Sequence, residues 1–538
     1  MVALVACALV SMINVQHGKA TGPVFIMADG SIYPPTAPIM TLDNVTYTLT
    51  GNINGSLVIE RDNIRLDGAG YALEGTGVYP SMGIQLSGRH NVTVENIDVE
   101  GFYYGIWINS SSSTTLTRNK ITANVAYSIY IERSSDNIIL ENEVKNNDEY
   151  GLELHFSTSN NIAGNNITDN GSDGIYLSGC SSTSLRNNLL ANNTHNLIIW
   201  GSELSHFLSN IDTSNTVDGK PIYYLANEHD RIIDEQTCPN IGYLAIVNST
   251  NMVVQNLNVA NNGEGVLLAY TNDSTVQNVT ATMNLNGISL VHSCDNVITG
   301  NNITDNGTDI SLTFSSTNNR ITENSLTAGG YRAISIRSSH NNIIEGNRID
   351  NRKYRSTGYA EGIGIEESSN ITIIGNHMTE CKHAAISFSS YSRGNRIFHN
   401  NFINNSMQIV GTCSETVWDN GYPSGGNYWS DYSGSDLCRG PNQNITSSDG
   451  IGDSPYEIDG ASYDRYPLMK PWQPTTIASD LNHDGTVNII DIVMISSIYN
   501  SKRGDANWNE QADLTKPYGI INVLDVLTCS AHYGQKYP

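Results

Sequence analysis

Residues 137–144 read Asn137-Ile-Ile-Leu-Glu-Asn-Glu-Val, and the pattern returns as Asn296-Val-Ile-Thr-Gly-Asn-Asn-Ile, Asn319-Arg-Ile-Thr-Glu-Asn-Ser-Leu and Asn342-Ile-Ile-Glu-Gly-Asn-Arg-Ile. Half a period away runs a second row, in which a small or polar residue introduces a short apolar triplet. It begins at Gly83, Gly105, Ser128, Gly151, Gly174 and Asn196, at intervals of 22 or 23 residues. It resumes at Gly265, Gly287, Asp309, Ala333, Gly362 and Ala385, with one coil stretched by residues 352–360. Apolar and polar positions alternate within each short strand, so one face turns inward, and the constant interval makes each repeat one circuit of the chain. Stacked circuits form parallel sheets. Asn142, Asn165, Asn301, Asn324, Asn347, Asn376 and Asn400 recur at one phase, where an Asn tolerates left-handed backbone and bonds the Asn of the next coil.

The expected fold is therefore all-β, a right-handed single-stranded parallel β-helix similar to the pectin-lyase-like solenoids. Composition agrees, since only 15% of residues are charged and Gly is abundant. With 53 acidic against 28 basic residues the net charge is -25, which repels nucleic acid. The start, Met1 to Ile13, is apolar and is followed by a small-residue site at Gly18-Lys19-Ala20, as in a secretory signal peptide at 1–20, and no later run is long and apolar enough to span a membrane. The eight Cys include no CxxC pair of the kind zinc sites use. The expected order is a signal peptide at 1–20, an N-terminal cap at 21–56 and a β-helix at 57–410 interrupted by an insert at 201–242. A C-terminal cap at 411–470, a Pro-rich linker at 471–478 and a last module at 479–538 follow.

That module opens with Asp480-Leu-Asn-His-Asp-Gly-Thr-Val-Asn-Ile-Ile-Asp491, which has the spacing of a calcium loop. Asp480, Asn482, Asp484, Asn488 and Asp491 place side-chain oxygens at positions 1, 3, 5, 9 and 12, Thr486 offers its carbonyl, and Gly485 makes the sharp turn. Ile489, Ile490, Val493, Met494 and Ile498 follow at helical spacing. A second copy keeps Asp513, Asn522 and Asp525 but is one residue longer and carries Lys516, Pro517 and Tyr518 in the middle, a degenerate metal site. The duplicated loop–helix unit resembles a type I dockerin. That resemblance implies a small α-helical calcium-binding domain with a cohesin-like protein as partner.

A further resemblance rests on Gly426-Asn-Tyr-Trp-Ser-Asp-Tyr432, Asp449-Gly-Ile-Gly-Asp-Ser-Pro-Tyr456 and Asp464-Arg-Tyr-Pro-Leu-Met469. Together with the Asn/Ile repeats these are similar to NosD-like right-handed β-helix proteins. The resemblance implies either a periplasmic accessory role in copper-enzyme maturation or, through the wider repeat class, carbohydrate binding or sugar hydrolysis. Copper favours clustered Met, His or Cys, whereas His206, His229, His377, His383 and His399 are dispersed in sequence. Asp431, Asp436, Asp449 and Asp453 serve equally as turn formers or as ligands of a further cation.

Enzymes of this fold mostly act on polysaccharides, and the motifs of polygalacturonases, pectate lyases and alginate epimerases are not found here. The catalytic candidates are Glu228, His229 and Asp230 beside Arg231, and Glu366 with Glu367. Together these features point to a secreted or cell-surface protein, non-catalytic, that binds polysaccharide or surface glycan and is attached through its calcium module. The alternatives are a polysaccharide lyase or glycoside hydrolase, and a structural surface or periplasmic-type metal accessory protein.

Overall fold

The computed structural model describes residues 20–327, 329–351, 360–389, 391–412, 414–473, 479–482, 486–505, 507–515 and 519–535. Residues 1–19 of the expected signal peptide, Asp484 and Gly485 of the first loop, and Lys516, Pro517 and Tyr518 of the second lie outside the described residues. The chain divides into two compact units, one made of residues 1–372, 378–395 and 403–415 and the other of 373–377, 396–402 and 416–538.

The first unit is a parallel β-helix. Its first stack carries three sheets, in which each strand pairs with the strand one repeat later. One sheet, hereafter the front sheet, contains Met82–Ser87, Tyr104–Asn109, Tyr127–Glu132, Tyr150–His155, Asp173–Ser178 and His195–Trp200. Its register aligns Ile84, Ile106, Ile129, Leu152, Ile175 and Leu197 in one column, each no more than 1% exposed. The second sheet aligns Val94, Leu116, Ile139, Ile162 and Leu185, and the third Val99, Ile121, Val144, Ile167 and Leu190. These columns fill the interior, and each fully buried aliphatic side chain stabilises the fold by about 1.5–3 kcal/mol. Small residues start the triplets because the coils approach closely there: a Cβ on Gly105 would lie 2.4 Å from the carbonyl oxygen of Ser128.

At the corner after the second sheet, Arg118, Glu141, Gly164 and Asn187 adopt left-handed backbone with φ of 53°, 55°, 65° and 51°. The next residue in each coil is a buried Asn. Asn119, Asn142, Asn165, Asn188 and Asn215 form a chain in which each Nδ2 donates to the next Oδ1 at 2.8–3.0 Å. Each Oδ1 also accepts the backbone N–H of the preceding Asn, as from Asn142 to Asn165 at 2.9 Å, and Asn165 Nδ2 bonds the carbonyl of Ile139 at 2.8 Å. A parallel ladder joins Asn124, Asn147, Asn170 and Asn193.

Residues 201–242, expected as an insert, are instead woven into the sheets and carry the junction between two stacks. A short helix, α1 (Leu204–Phe207), is followed by Asn210–Ile211 and Thr216–Val217, which continue the second and third sheets. Asp218 and Gly219, both at positive φ, then turn the chain into an antiparallel pairing of Thr216 and Val217 with Pro221 and Lys220. Lys220–Ala226 begins a second stack, whose front sheet includes Glu264–Ala269, Asn286–Val291, Thr308–Thr313, Arg332–Arg337, Glu361–Glu366 and Ala384–Phe388. Its corners repeat the ladder through Asn301, Asn324 and Asn347. The N-terminal segment closes the first coil with two antiparallel pairs, Val24–Ile26 with Ile32–Tyr33 and Ile39–Thr41 with Thr46–Leu49.

In the second unit the Asn401–Phe402 edge pairs with Tyr428 and Trp429, and Phe402, Trp429 and Tyr456 stack with 4.3 Å between successive rings. Buried Asp464 accepts from the Asn427 amide at 2.7 Å, Trp429 Nε1 at 2.9 Å and the Tyr466 amide at 3.1 Å. Two further helices, α2 (Ile489–Ser497) and α3 (Val523–Ala531), are capped alike by Asn488 and Asn522, each in a capping box with the Asp three residues on. Leu481, Val487, Ile495, Ala512, Ile521 and Cys529 make the small core beneath them.

Two outcomes follow for stability. Asn165→Ala leaves the Asn142 amide groups and the Ile139 carbonyl without their partners, so urea unfolding is expected to show a loss of about 2–4 kcal/mol, more than one ordinary neutral hydrogen bond contributes. Glu264 is buried, and burial pushes its carboxyl up to about 8 although the Tyr243 hydroxyl donates to it at 3.0 Å. Between about 4.3, the value of an unfolded Glu, and 8 the folded state holds a proton that the unfolded chain releases, so this group's stabilisation is complete at acid pH and is lost as pH rises through 8. Glu264→Gln is expected to be more stable than the parent at pH 8 and equal to it near pH 4; an unchanged difference across that range contradicts the assignment.

Candidate functional site

Side chains at alternate positions of the front sheet point outward, and the register stacks them into columns. One column runs Met82, Tyr104, Tyr127, Tyr150, with Asp173 and His195 continuing it. A second runs Gln85, Trp107, Tyr130, Glu153, Tyr176 and Ile198, and a third Ser87, Asn109, Glu132, His155, Ser178 and Trp200. Tyr104, Tyr127 and Tyr150 stack almost parallel, at 7° and 11°, with centroids 5.0 and 5.1 Å apart. Stacked this way, their faces cover one another and the row offers ring edges rather than faces. Faces are offered at its margins by exposed Tyr79, edge-on to Tyr103 at 4.9 Å, and by exposed Phe156.

Two carboxylate–imidazole pairs sit within this aromatic strip. Glu153 bonds His155 through Oε1, while its Oε2 is buried with no hydrogen-bond partner. His155 lies between the rings of Tyr130 and Tyr176, at 5.4 and 5.6 Å. One coil on, Asp173 bonds His195 Nδ1 at 2.8 Å. Burial, and after it the Glu132 and Glu153 carboxylates, push Tyr130 up to about 12; burial and Glu153 raise Tyr127 as well. The tyrosines thus stay neutral hydroxyl donors. His195 then opens into a groove of about 450 Å³ lined by Asn193, Thr194, Asn261, Met283, Asn284 and the backbone of Gly330 among others. An array of neutral hydroxyls, imidazoles, amides and two carboxylates suits a hydroxyl-rich polymer laid along the stack.

None of these residues stands out in the sequence by itself, although the middle positions of the triplets at Gly105, Ser128, Gly151 and Gly174 are Trp107, Tyr130, Glu153 and Tyr176. Reading those positions down the columns is the signal that finds the strip. Of the catalytic candidates named from the sequence, His229 and Asp230 are bonded to each other at 3.0 Å with both side chains largely in solvent, and Glu228 pairs with Arg231 at 3.5 Å. Glu367 accepts from Ser338 at 2.9 Å, whereas Glu366 is drawn to Arg332 at 2.6 Å.

In the C-terminal module, Asp480 is buried, Asp491 accepts the amides of Leu481, Asn482 and Asn488, and Asn488 caps α2 while its Nδ2 bonds the Thr486 carbonyl at 3.0 Å. The second loop repeats this: Asp525 accepts from Thr515 and Asn522, and Asp513 accepts from the Gly519 amide. Asp436, Asp449 and Asp453 serve turns of the cap, for example Asp436 accepting the amides of Asp449 and Gly450, while Asp431 accepts from the Tyr456 hydroxyl.

Among known proteins, the family described as "Periplasmic copper-binding protein (NosD)" matches residues 39–221, 204–359 and 332–434. Similar solved structures include a point mutant of the periplasmic alginate epimerase AlgG, at 12% identity over 74% of this chain and 83% of that one with a TM-score of 0.31. The catalytic unit of a GH87 α-1,3-glucanase from Streptomyces thermodiastaticus is 13% identical, covering 69% and 60%, with a TM-score of 0.23. The surface adhesin PfbA of Streptococcus pneumoniae is 10% identical, covering 68% and 85%, also with a TM-score of 0.23. No curated protein matches. As for copper, no group of three or more His, Cys, Asp or Glu suited to a metal occurs among the described residues. His206 Nδ1 accepts the backbone amides of Ser202 and Glu203 just before α1, and His399 is stacked on Trp472 at 5.1 Å. With its matched stretches running from residue 39 to 434 of a parallel β-helix, the chain belongs to the NosD family.

Proposed function

We propose that this is a surface or periplasmic β-helix protein that binds polysaccharide along the strip from Tyr79 to His195 and its adjoining groove, and is attached through a calcium-binding, dockerin-like module. The observation that carries the first part is the ordered row Tyr104–Tyr127–Tyr150 flanked by Glu153–His155 and Asp173–His195. A polymer lying along the stack crosses several coils in turn, so many weak contacts add along its length. The description of the family as periplasmic supports placement outside the cytoplasm, as does the signal-like start.

The attachment part is supported by the duplicated loop–helix geometry and by what the helices leave exposed. Ile489, Ile490 and Val493 on α2 and Val523, Leu524 and Leu527 on α3 are each at least 50% exposed, a concentration of apolar surface that suits a protein partner. Calcium at Asp480, Asn482, Asp484, Thr486, Asn488 and Asp491 would fix the first loop that presents α2.

The strip is tested by affinity electrophoresis of the full chain in gels of neutral and of uronic polysaccharides. Binding is expected to weaken at least 10-fold in Tyr127→Ala and in Glu153→Gln, about 1.4 kcal/mol or more each. Unretarded migration of the parent protein in every gel overturns the reading, and release of reducing sugar would move the protein into the enzymes. For the module, calorimetry of the full chain with calcium is expected to show about one equivalent, absent in Asp480→Ala; equal heats in both proteins remove the first loop as the site.

A further inference from the structure

A second polar site lies on the front sheet of the second stack. There the outward column Ser289, Ser311, Ser335, Gly364, Ser387 is flanked by the column Thr308, Arg332, Glu361 on one side and by Arg337 and Glu366 on the other. Arg332 does not stay in its column. Its side chain crosses the sheet over Gly364, bonding Glu361 through Nε at 2.7 Å and Glu366 through Nη1 at 2.6 Å. The crossing depends on the glycine, since a Cβ on Gly364 would lie 2.4 Å from Arg332 Nε and 2.7 Å from Cζ. Glu361, only 7% exposed, is fixed further by Ser387 Oγ at 2.6 Å and His383 Nδ1 at 3.2 Å. Above this floor is a cleft of about 310 Å³ lined by Thr308, Tyr331, Arg332, Ser335 and Glu361, with Tyr331 65% exposed at its edge.

We infer that this cleft is a binding site for a neutral saccharide unit, held through vicinal hydroxyls. Arg332 and Glu361 present a donor and an acceptor side by side in a fixed plane, which matches adjacent hydroxyls of a sugar ring. The Ser335 and Thr308 hydroxyls supply adaptable partners, and Tyr331 offers an apolar surface to the ring's C–H face. Charge selects the ligand class. Glu361 and Glu366 offset Arg332 and Arg337, so a uronate would find no net positive charge here and would meet two carboxylates. The double engagement of Arg332 makes the cluster a rigid recognition surface rather than an acid–base pair, because Arg332 holds both carboxylates in place. The site is distinct in residues from the tyrosine strip and stands whether or not the strip binds polymer.

The test is calorimetry of the full chain with cellohexaose, maltohexaose and xylohexaose as neutral probes and hexagalacturonate as the charged one. At least one neutral probe is expected to bind, with hexagalacturonate silent. Affinity is expected to fall at least 10-fold in Tyr331→Ala, whose side chain is mostly in solvent and whose loss leaves the core intact, and in Gly364→Val, which displaces the arginine. Tyr127→Ala is expected to leave this binding unchanged. Binding lost only in Tyr127→Ala places the sugar on the strip and overturns the cleft while keeping the strip. No heat with any neutral probe, or tight binding of hexagalacturonate, overturns the inference as well.

Discussion

The fold rests on amides buried inside coil corners. A chain that turns three times per circuit within 22 or 23 residues must bend sharply, and at one corner it does so by placing Arg118, Glu141 and Asn187 in left-handed backbone, a conformation side chains rarely adopt. What compensates is the following Asn, whose amide satisfies four partners at once: the next coil's Oδ1, the preceding coil's Nδ2 and backbone N–H, and a carbonyl of the preceding coil. Each such bond is modest alone, but the ladder is closed on both sides, and a gap strands donors in a medium that water does not reach. Corner geometry, coil spacing and sheet register are thereby set by one side chain type repeated at one phase.

Because the interior and corners take care of folding, the outward positions of the sheets are free to vary. Parallel register with no slippage then turns any choice at those positions into a column. Three tyrosines one repeat apart become a stack, and a Glu within an aromatic column becomes a buried carboxylate beside a histidine. The Asp218–Gly219 hairpin adds a second front sheet whose outward column is serine and glycine instead of aromatic. Smallness at Gly364 is what lets Arg332 lie flat across it. The two faces are therefore different chemistries carried by one scaffold.

This division also decides what the sequence discloses. The triplets at Gly83, Gly105 and Gly151 repeat because packing demands it, so their period is visible without coordinates, as is the Asn phase. Glu153 and His155 obey no period, and their meaning appears only when the register places them next to residues 22 or 23 positions away. Glu366 is visible as one of a pair of acids, yet its partner Arg332 lies across the coil stretched by residues 352–360. The break in the repeat at 201–242 misleads for a related reason. A change of phase between two stacks interrupts the repeat just as a projecting loop would, and only strand pairing tells them apart.

The C-terminal module shows the limit of spacing as evidence in another way. Asp491 and Asp525 stand where the spacing expects a last calcium ligand, but each closes a capping box and gathers the amides of its own loop, so the same carboxylate serves helix and turn. Keeping that residue in both copies keeps both helices capped even where Lys516, Pro517 and Tyr518 have replaced the middle oxygens of the second loop. The paired helices and their shared core of Val487, Ile495, Ile521 and Cys529 are thus specified by caps and packing.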